Sequence, residues 1–131
     1  MNVHPRFEGP VEFNVLGEPL QPCSNNPLTG FFRTGYCAAG ADNAAVHLVC
    51  IEASDEFLAY SASVGNDLST PRPEFAFPGL VAGNRWCLVA GRWAQAHAAG
   101  KAPRLYLRAT NQQVLELIPL EILKAYALDL N

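Results

Sequence analysis

The composition is that of one small folded domain with few charges. The chain has 131 residues, of which 50% are hydrophobic and 16% are charged, and its net charge is −3 at pH 7. A chain of this length forms one ordinary domain and buries a core without needing disulfides or a metal. Because the nine lysines and arginines are scattered and the net charge would repel phosphates, nucleic-acid binding and electrostatic attachment to a membrane surface are both disfavoured.

The amino-terminal residues and the lack of long apolar runs bear on where the protein acts. No apolar run approaches the roughly 18 residues that a membrane-spanning helix requires. Residues 1–10 are polar, contain two prolines and lack the apolar core of a signal peptide, so we expect a flexible tail there and a single domain over 11–131. These features predict a cytoplasmic protein, whose cysteines are thiols, metal ligands or reactive groups and not structural disulfides.

The first half of the chain, to about residue 77, is irregular. It carries turn signals rich in glycine, proline, asparagine and aspartate at 17–19, 24–27, 40–43 and 69–73. Such a half of a compact domain either packs as ordered loops or carries the functional site.

Short strands alternate with helices from the middle of the chain onward. The β-branched and apolar run at 45–51 indicates a buried strand, and Ser54 is a suitable cap for the helix that follows it. A second strand is predicted at 86–90, and the alanine-rich residues 91–99 predict a second helix. Residues 105–109 form the third predicted strand.

The chain ends in one more predicted strand and helix. The polar residues 110–113 predict a turn into a strand at 114–118, and Pro119 opens an amphipathic helix over 119–128. This order of elements predicts an α+β fold. It is a two-layer sandwich, in which a small mixed sheet is covered by helices and the N-terminal half is rich in loops.

The four cysteines suggest either metal ligands or reactive thiols. Between Cys23, Cys37, Cys50 and Cys87 lie 13, 12 and 36 residues, and none of these gaps is the Cys-x-x-Cys spacing of a zinc knuckle. Cys50 and Cys87 fall inside apolar predicted strands, where cysteine often acts as a small buried hydrophobic residue. Cys23 and Cys37 fall on loops and are the better candidates for reactive thiols. A zinc site is therefore an alternative that the spacing does not favour.

A polar loop at 65–75 is the second candidate for a site. It holds Asn66 and Asp67 near an arginine and two hydroxyls, and its glycine and prolines fix the backbone. Asp67 is either a general base or ligand anchor, or it forms with Asn66 an Asx turn that satisfies loop amides. The residues leave both interpretations open.

Arginines beside aromatic residues form the third candidate. The pairs 85–86 and 92–93 are each Arg-Trp, which indicates either a site for an anion and a flat ring or core indoles covered by arginines. Arg33 lies in an aromatic loop at 29–36, which is either a hairpin or a pocket wall. The sequence has no dinucleotide-binding glycine motif, phosphate-binding loop, zinc-protease helix or nucleophile elbow, so it supports none of those enzyme classes.

Several of these segments together resemble a known family. From about residue 14 to residue 127 the chain is similar to the bacterial proteins grouped as domain of unknown function 2237. The similarity lies in the segments 14–20, 27–33, 65–73, 77–80, 85–87 and 92–93. The resemblance implies one small α+β domain and assigns no activity.

The resemblance also indicates which residues a shared site would use. It implies first the polar loop residues Arg33, Asn66, Asp67 and Arg85, together with the four cysteines. Three positions depart from many relatives, which have cysteine in place of Tyr36 and Val89 and histidine in place of Asn111. If those groups are ligands elsewhere in the family, this chain does not use them in the same way.

A small binding domain is the function that these patterns favour. The loop-rich half would fold over the sheet and form a polar pocket for an anionic small molecule or a peptide carboxylate. The residues predicted to line it are Arg33, Asn66, Asp67, Arg85 and Trp86. One alternative is an enzyme that uses the loop cysteines as thiols or zinc ligands. The other is a homo-oligomeric scaffold whose terminal helix is the interface.

Overall fold

A three-stranded antiparallel sheet organises the protein. The computed structural model describes residues 11–130, so the predicted tail at 1–10 lies outside the described residues. The strands are β1 (His47–Glu52), β2 (Arg85–Val89) and β3 (Arg104–Leu105), in the order β2-β1-β3. Both outer strands run antiparallel to β1.

The α+β prediction is confirmed, but the three strands are antiparallel where a mixed sheet was expected. The end of β1 pairs with the start of β2, since Glu52 lies opposite Arg85. The connection between the two strands therefore returns the chain to the end of the sheet where β1 finishes. β2 starts at that end and runs alongside β1 in the opposite direction. Among residues 11–130, parallel pairing is limited to a single bridge between Leu105 and Ala127.

The helices lie close to their predicted positions. They are α1 (Asp55–Ser63), α2 (Ala90–Ala98) and α3 (Leu120–Ala125). Ser54 caps α1 as predicted, because its Oγ accepts a hydrogen bond from the backbone N–H of Phe57 at 3.1 Å. None of the helices in residues 11–130 is long and apolar enough to cross a membrane.

One face of the sheet carries the main hydrophobic core. Val49 and Ile51 lie opposite Leu88 and Trp86, so all four project from the same side. α2 packs on the sheet and α1 packs against α2. Trp93 of α2 is 0% exposed, and its indole N–H donates to the carbonyl of Pro103 at 3.1 Å.

The carboxyl-terminal third differs from the prediction. β3 is only two residues long, and the chain turns into a 3-10 helix at Leu107–Ala109. The predicted strand at 114–118 is wrong, since Gln112–Glu116 form another 3-10 helix. The side chain of Asn111 accepts a hydrogen bond from the N–H of Gln113, and this cap favours a helical turn over a strand.

Candidate functional site

A cluster of sulfur atoms lies on the sheet face opposite the main core. Cys50 and Cys87 are cross-strand neighbours on β1 and β2. Cys23 is bonded to Cys50, and Cys37 is bonded to Cys87. The Sγ atoms of Cys23, Cys37 and Cys87 lie within 4.8 Å of one another, and all four residues are buried. The two loops and the two strands therefore meet at this buried group of four cysteines, which we call the sulfur cluster.

This pairing corrects the expectation that the cysteines are unpaired. Cys23 and Cys37 were predicted to be a reactive pair on loops, but each is joined to a strand cysteine. The partners are 27 and 50 residues apart in the sequence, and their proximity arises only when the loops fold over the sheet. Thiol chemistry at this cluster therefore first requires reduction of a disulfide.

Two buried threonines complete the backbone hydrogen bonding beside the sulfur cluster. The hydroxyl of Thr29 accepts from the N–H of Cys87 at 2.8 Å, and that of Thr110 accepts from the N–H of Cys50 at 3.1 Å. Both threonines are 0% exposed. Because β2 is an edge strand, Thr29 fixes the start of the loop 29–36 against the open side of the sheet.

The loop 29–36 presents Arg33 at this edge. The guanidinium carbon of Arg33 lies 5.4 Å from the centroid of the Trp86 ring, and its Nη1 donates to the carbonyl of Gly30 at 2.8 Å. The backbone of Arg33 is left-handed, with φ of 56°. Such strain in a residue other than glycine often marks a binding site. Arg33 is exposed, and within residues 11–130 it forms no salt bridge.

A cavity of about 220 Å³ lies next to the loop that carries this arginine, although Arg33 itself does not line it. Its walls are formed by Phe31, Phe32, Asp42, Ala44, Ala45, Val46 and His47. The side chain of Phe31 is 56% exposed, and its ring centroid is 5.8 Å from that of His47. An apolar wall, an imidazole and the Asp42 carboxylate therefore lie near an arginine that forms no salt bridge within the described chain.

Besides Asp42, His47 is a titratable residue of this cavity. Its Nδ1 is buried and has no hydrogen-bond partner among the residues that the structure describes. Burial, and then the positive charge of Arg33, lowers the pKa of His47 from its usual 6.5. The imidazole is therefore neutral at pH 7, and a ligand in the cavity meets the ring and not its buried Nδ1.

Arg85 is engaged in a different group. Its guanidinium carbon lies 3.9 Å from the centroid of the Tyr106 ring, and the Tyr106 hydroxyl donates to the carboxylate of Glu52. Glu52 and Arg85 are cross-strand neighbours. Burial, and then the hydrogen bond to Glu52, raises the pKa of Tyr106. Since Tyr106 also packs against the sulfur cluster, Arg85 belongs to that side of the sheet.

Asn66 and Asp67 form the turn that follows α1. The N–H of Asn66 donates to the carbonyl of Ser61, and the Ser61 hydroxyl donates to the carbonyl of Asn66. The carboxylate of Asp67 accepts from the N–H groups of Ser69 and Thr70 and from the Thr70 hydroxyl. The Thr70 hydroxyl and then the Ser69 N–H lower the pKa of Asp67. This is the arrangement of an Asx turn.

The five predicted pocket residues thus occupy three places. Arg33 lies with Trp86, Arg85 lies with Tyr106, and the remaining two residues form the turn at 66–67. Trp86 is only 7% exposed and contributes mainly to the core. Asp67 lines a cavity beside α1 with Asp55 and Leu58, whereas none of the five lines the cavity at Phe31 and His47.

Sequence reasoning missed a partly buried polar network that holds the loops in place. The carboxylate of Glu12 accepts from the N–H of Ala39 at 2.7 Å and from the side-chain amide of Asn111 at 2.7 Å. The same amide donates to the carbonyl of Cys37 at 3.1 Å. Asn111 was interpreted as part of a polar turn. Its departure from the histidine of many relatives was the one signal that pointed to a role.

Comparison with known proteins identifies a family. The model of the family described as "Uncharacterized protein conserved in bacteria (DUF2237)" matches residues 13–127. The match covers the sheet, the three helices and all four cysteines. A search of curated proteins found none that matches the chain.

Proposed function

The chain belongs to the bacterial family called domain of unknown function 2237, and we propose that this member is a small binding domain for an anionic ligand. The ligand is a small molecule or a peptide end that carries a carboxylate. The observation that supports the proposal is the exposed guanidinium of Arg33 beside the cavity of Phe31 and His47.

The proposed ligand follows from the groups at the cavity. A guanidinium forms charge-assisted, paired hydrogen bonds with a carboxylate. Phe31 offers an exposed ring for the apolar part of a ligand. Arg85 is a weaker candidate, because its guanidinium already stacks on Tyr106 beside Glu52.

We also propose that the protein acts in the cytoplasm. In that compartment the disulfides of the sulfur cluster meet dithiol reductants. Quenching cells in acid and alkylating the denatured protein without a reductant, followed by a mass measurement, tests this: four alkylated cysteines support the location, and four cysteines that stay unalkylated contradict it.

Benzoate and benzamide test the proposed ligand class, because they differ in charge and share a ring. In an NMR titration we expect benzoate to shift the amide signals of Phe31, Arg33 and His47, and we expect benzamide to shift them less. Arg33→Gln should weaken benzoate binding by about tenfold or more, as expected for the loss of a hydrogen bond between charged groups.

The matched control is Arg92→Gln, which removes the arginine beside the other tryptophan. Arg92 lies on α2 and bonds to the carbonyl of Val64 and to Gln95, away from the cavity. Its substitution should leave benzoate binding unchanged. Equal shifts with benzoate and benzamide, or equal weakening by both substitutions, would contradict the proposal.

A further inference from the structure

We propose that reduction of the two disulfides converts the sulfur cluster into a binding site for one Zn²⁺ ion, with all four cysteines as ligands. This site is separate from the cavity beside Arg33 and does not depend on the function proposed for it. The inference rests on where the fold places the four sulfur atoms, whose convergence the sequence spacing does not indicate.

Three of the four sulfur atoms already lie close to the spacing that a tetrahedral ion requires. Zinc bound to four thiolates at about 2.3 Å holds the sulfurs roughly 3.8 Å apart. The Sγ atoms of Cys23, Cys37 and Cys87 lie within 4.8 Å of one another. Cys50 is bonded to Cys23 and is the cross-strand neighbour of Cys87, but its Sγ lies outside this close group of three. Once reduction breaks the bond to Cys23, rotation of the Cys50 side chain toward the other three sulfurs supplies the fourth ligand.

The surroundings of the cluster favour zinc over harder cations. All four ligands are sulfur, which selects zinc over magnesium or calcium. The cysteines are at most 4% exposed, and Ala109 and Tyr106 pack against them, so water is excluded. A zinc ion with four thiolates carries a net charge of −2. The guanidinium of Arg85, which stacks on Tyr106, offsets part of this charge.

The conversion balances with a dithiol as the reductant. Each protein disulfide takes up two electrons and two protons from one dithiol molecule, which closes into its own disulfide. Two such steps yield four thiols. Zn²⁺ then displaces four protons as the four zinc–sulfur bonds form. Zinc binding therefore weakens as the pH falls, because protons compete for the thiolates.

Metal titration of the full chain tests the site. The protein is reduced without oxygen by a water-soluble phosphine, and Zn²⁺ is then titrated against a chromophoric chelator. We expect one ion per chain for the reduced protein and none for the disulfide form. Co²⁺ in place of Zn²⁺ should give the absorption bands of a tetrahedral thiolate complex. Zinc should also raise the thermal unfolding temperature of the reduced protein.

Two variants separate a four-sulfur site from accidental binding. Cys50→Ser should weaken zinc binding by more than about 100-fold. Even the loss of a residue that only hydrogen-bonds to a metal ligand lowers metal affinity by about 10- to 100-fold. Ser24→Ala, beside Cys23, should leave zinc binding unchanged. Undiminished binding by Cys50→Ser, or no zinc binding by the reduced protein, would overturn the proposal.

Circular dichroism covers the case in which reduction unfolds the chain. If Zn²⁺ restores the spectrum of the disulfide form, the ion binds in the native arrangement and the proposal is supported. If the reduced chain binds Zn²⁺ and its spectrum stays that of an unfolded chain, the ligands are not arranged by this fold and the proposal fails.

Discussion

His47 shows how a single residue couples this fold to pH. Its pKa lies below 6.5 because burial, and then Arg33, disfavours the charged imidazole. Between that lowered value and 6.5 the unfolded chain binds more protons than the folded one. The stability that the neutral imidazole of His47 contributes is therefore fully present above pH 6.5. It is lost as the pH falls through the pKa that His47 has in the folded protein.

Replacement of His47 tests this coupling. We expect the free energy of unfolding in urea to fall between about pH 7.5 and about pH 5.5, and we expect it to fall less in His47→Gln. The described chain has one other histidine, His97, and His97→Gln is the comparison that shows whether loss of any imidazole has the same effect. Identical pH profiles for all three proteins would contradict this account.

The loop 29–36 shows how an element is shaped by one small residue. Gly30 has φ of 95°, and a Cβ atom at this position would lie 2.2 Å from the carbonyl oxygen of Tyr36. Any larger residue therefore combines left-handed backbone strain with a collision against the main chain. Since this loop carries Arg33, its shape also determines the proposed ligand site.

Gly30→Ala tests that requirement, and Gly17→Ala is its control. Gly17 has φ of 81° with no atom within 4 Å of the added Cβ, so its substitution introduces backbone strain alone. We expect Gly17→Ala to cost about 1–2 kcal/mol in the free energy of unfolding, and we expect Gly30→Ala to cost more. Gly30→Ala should also weaken benzoate binding. Equal costs in urea unfolding would show that the loop moves to avoid the contact.

Elements with a local signal were predictable, and those that depend on distant partners were not. Ser54 and the acidic residues after it specify the start of α1 within a few positions of the chain. The apolar run at 114–118 has the composition of a strand but becomes helical, because Asn111 is held by Glu12 and caps the turn. That partner lies 99 residues away in the sequence.

At the scale of the whole molecule, the disulfides attach the loop-rich half to the sheet. Their positions were not predictable, because four cysteines allow three pairings and the compartment argument pointed to thiols. The proposed ligand residues were predictable only in part. Arg33 was singled out from its aromatic neighbours, whereas the contribution of His47 depends on a cavity that forms when its loop folds over β1.

Removal of one disulfide measures how much that disulfide stabilises the attachment of the loop-rich half to the sheet. The pair Cys37→Ala and Cys87→Ala should lower the free energy of unfolding by about 4 kcal/mol, and the pair Cys23→Ala and Cys50→Ala by about 3.5 kcal/mol, from the lengths of the closed loops. Urea unfolding without reductant is the measurement. Losses below about 1 kcal/mol for both pairs would show that packing alone holds the loops.

The order of the cysteines along the chain has one more consequence. The bridge from Cys23 closes at Cys50, and the bridge from Cys37 opens inside that interval and closes at Cys87. The two intervals interlock, so every peptide bond between Cys23 and Cys87 is spanned by at least one bridge. A protease that cuts this protein once within that stretch therefore leaves a nicked molecule of undiminished mass until a reducing agent releases the two fragments.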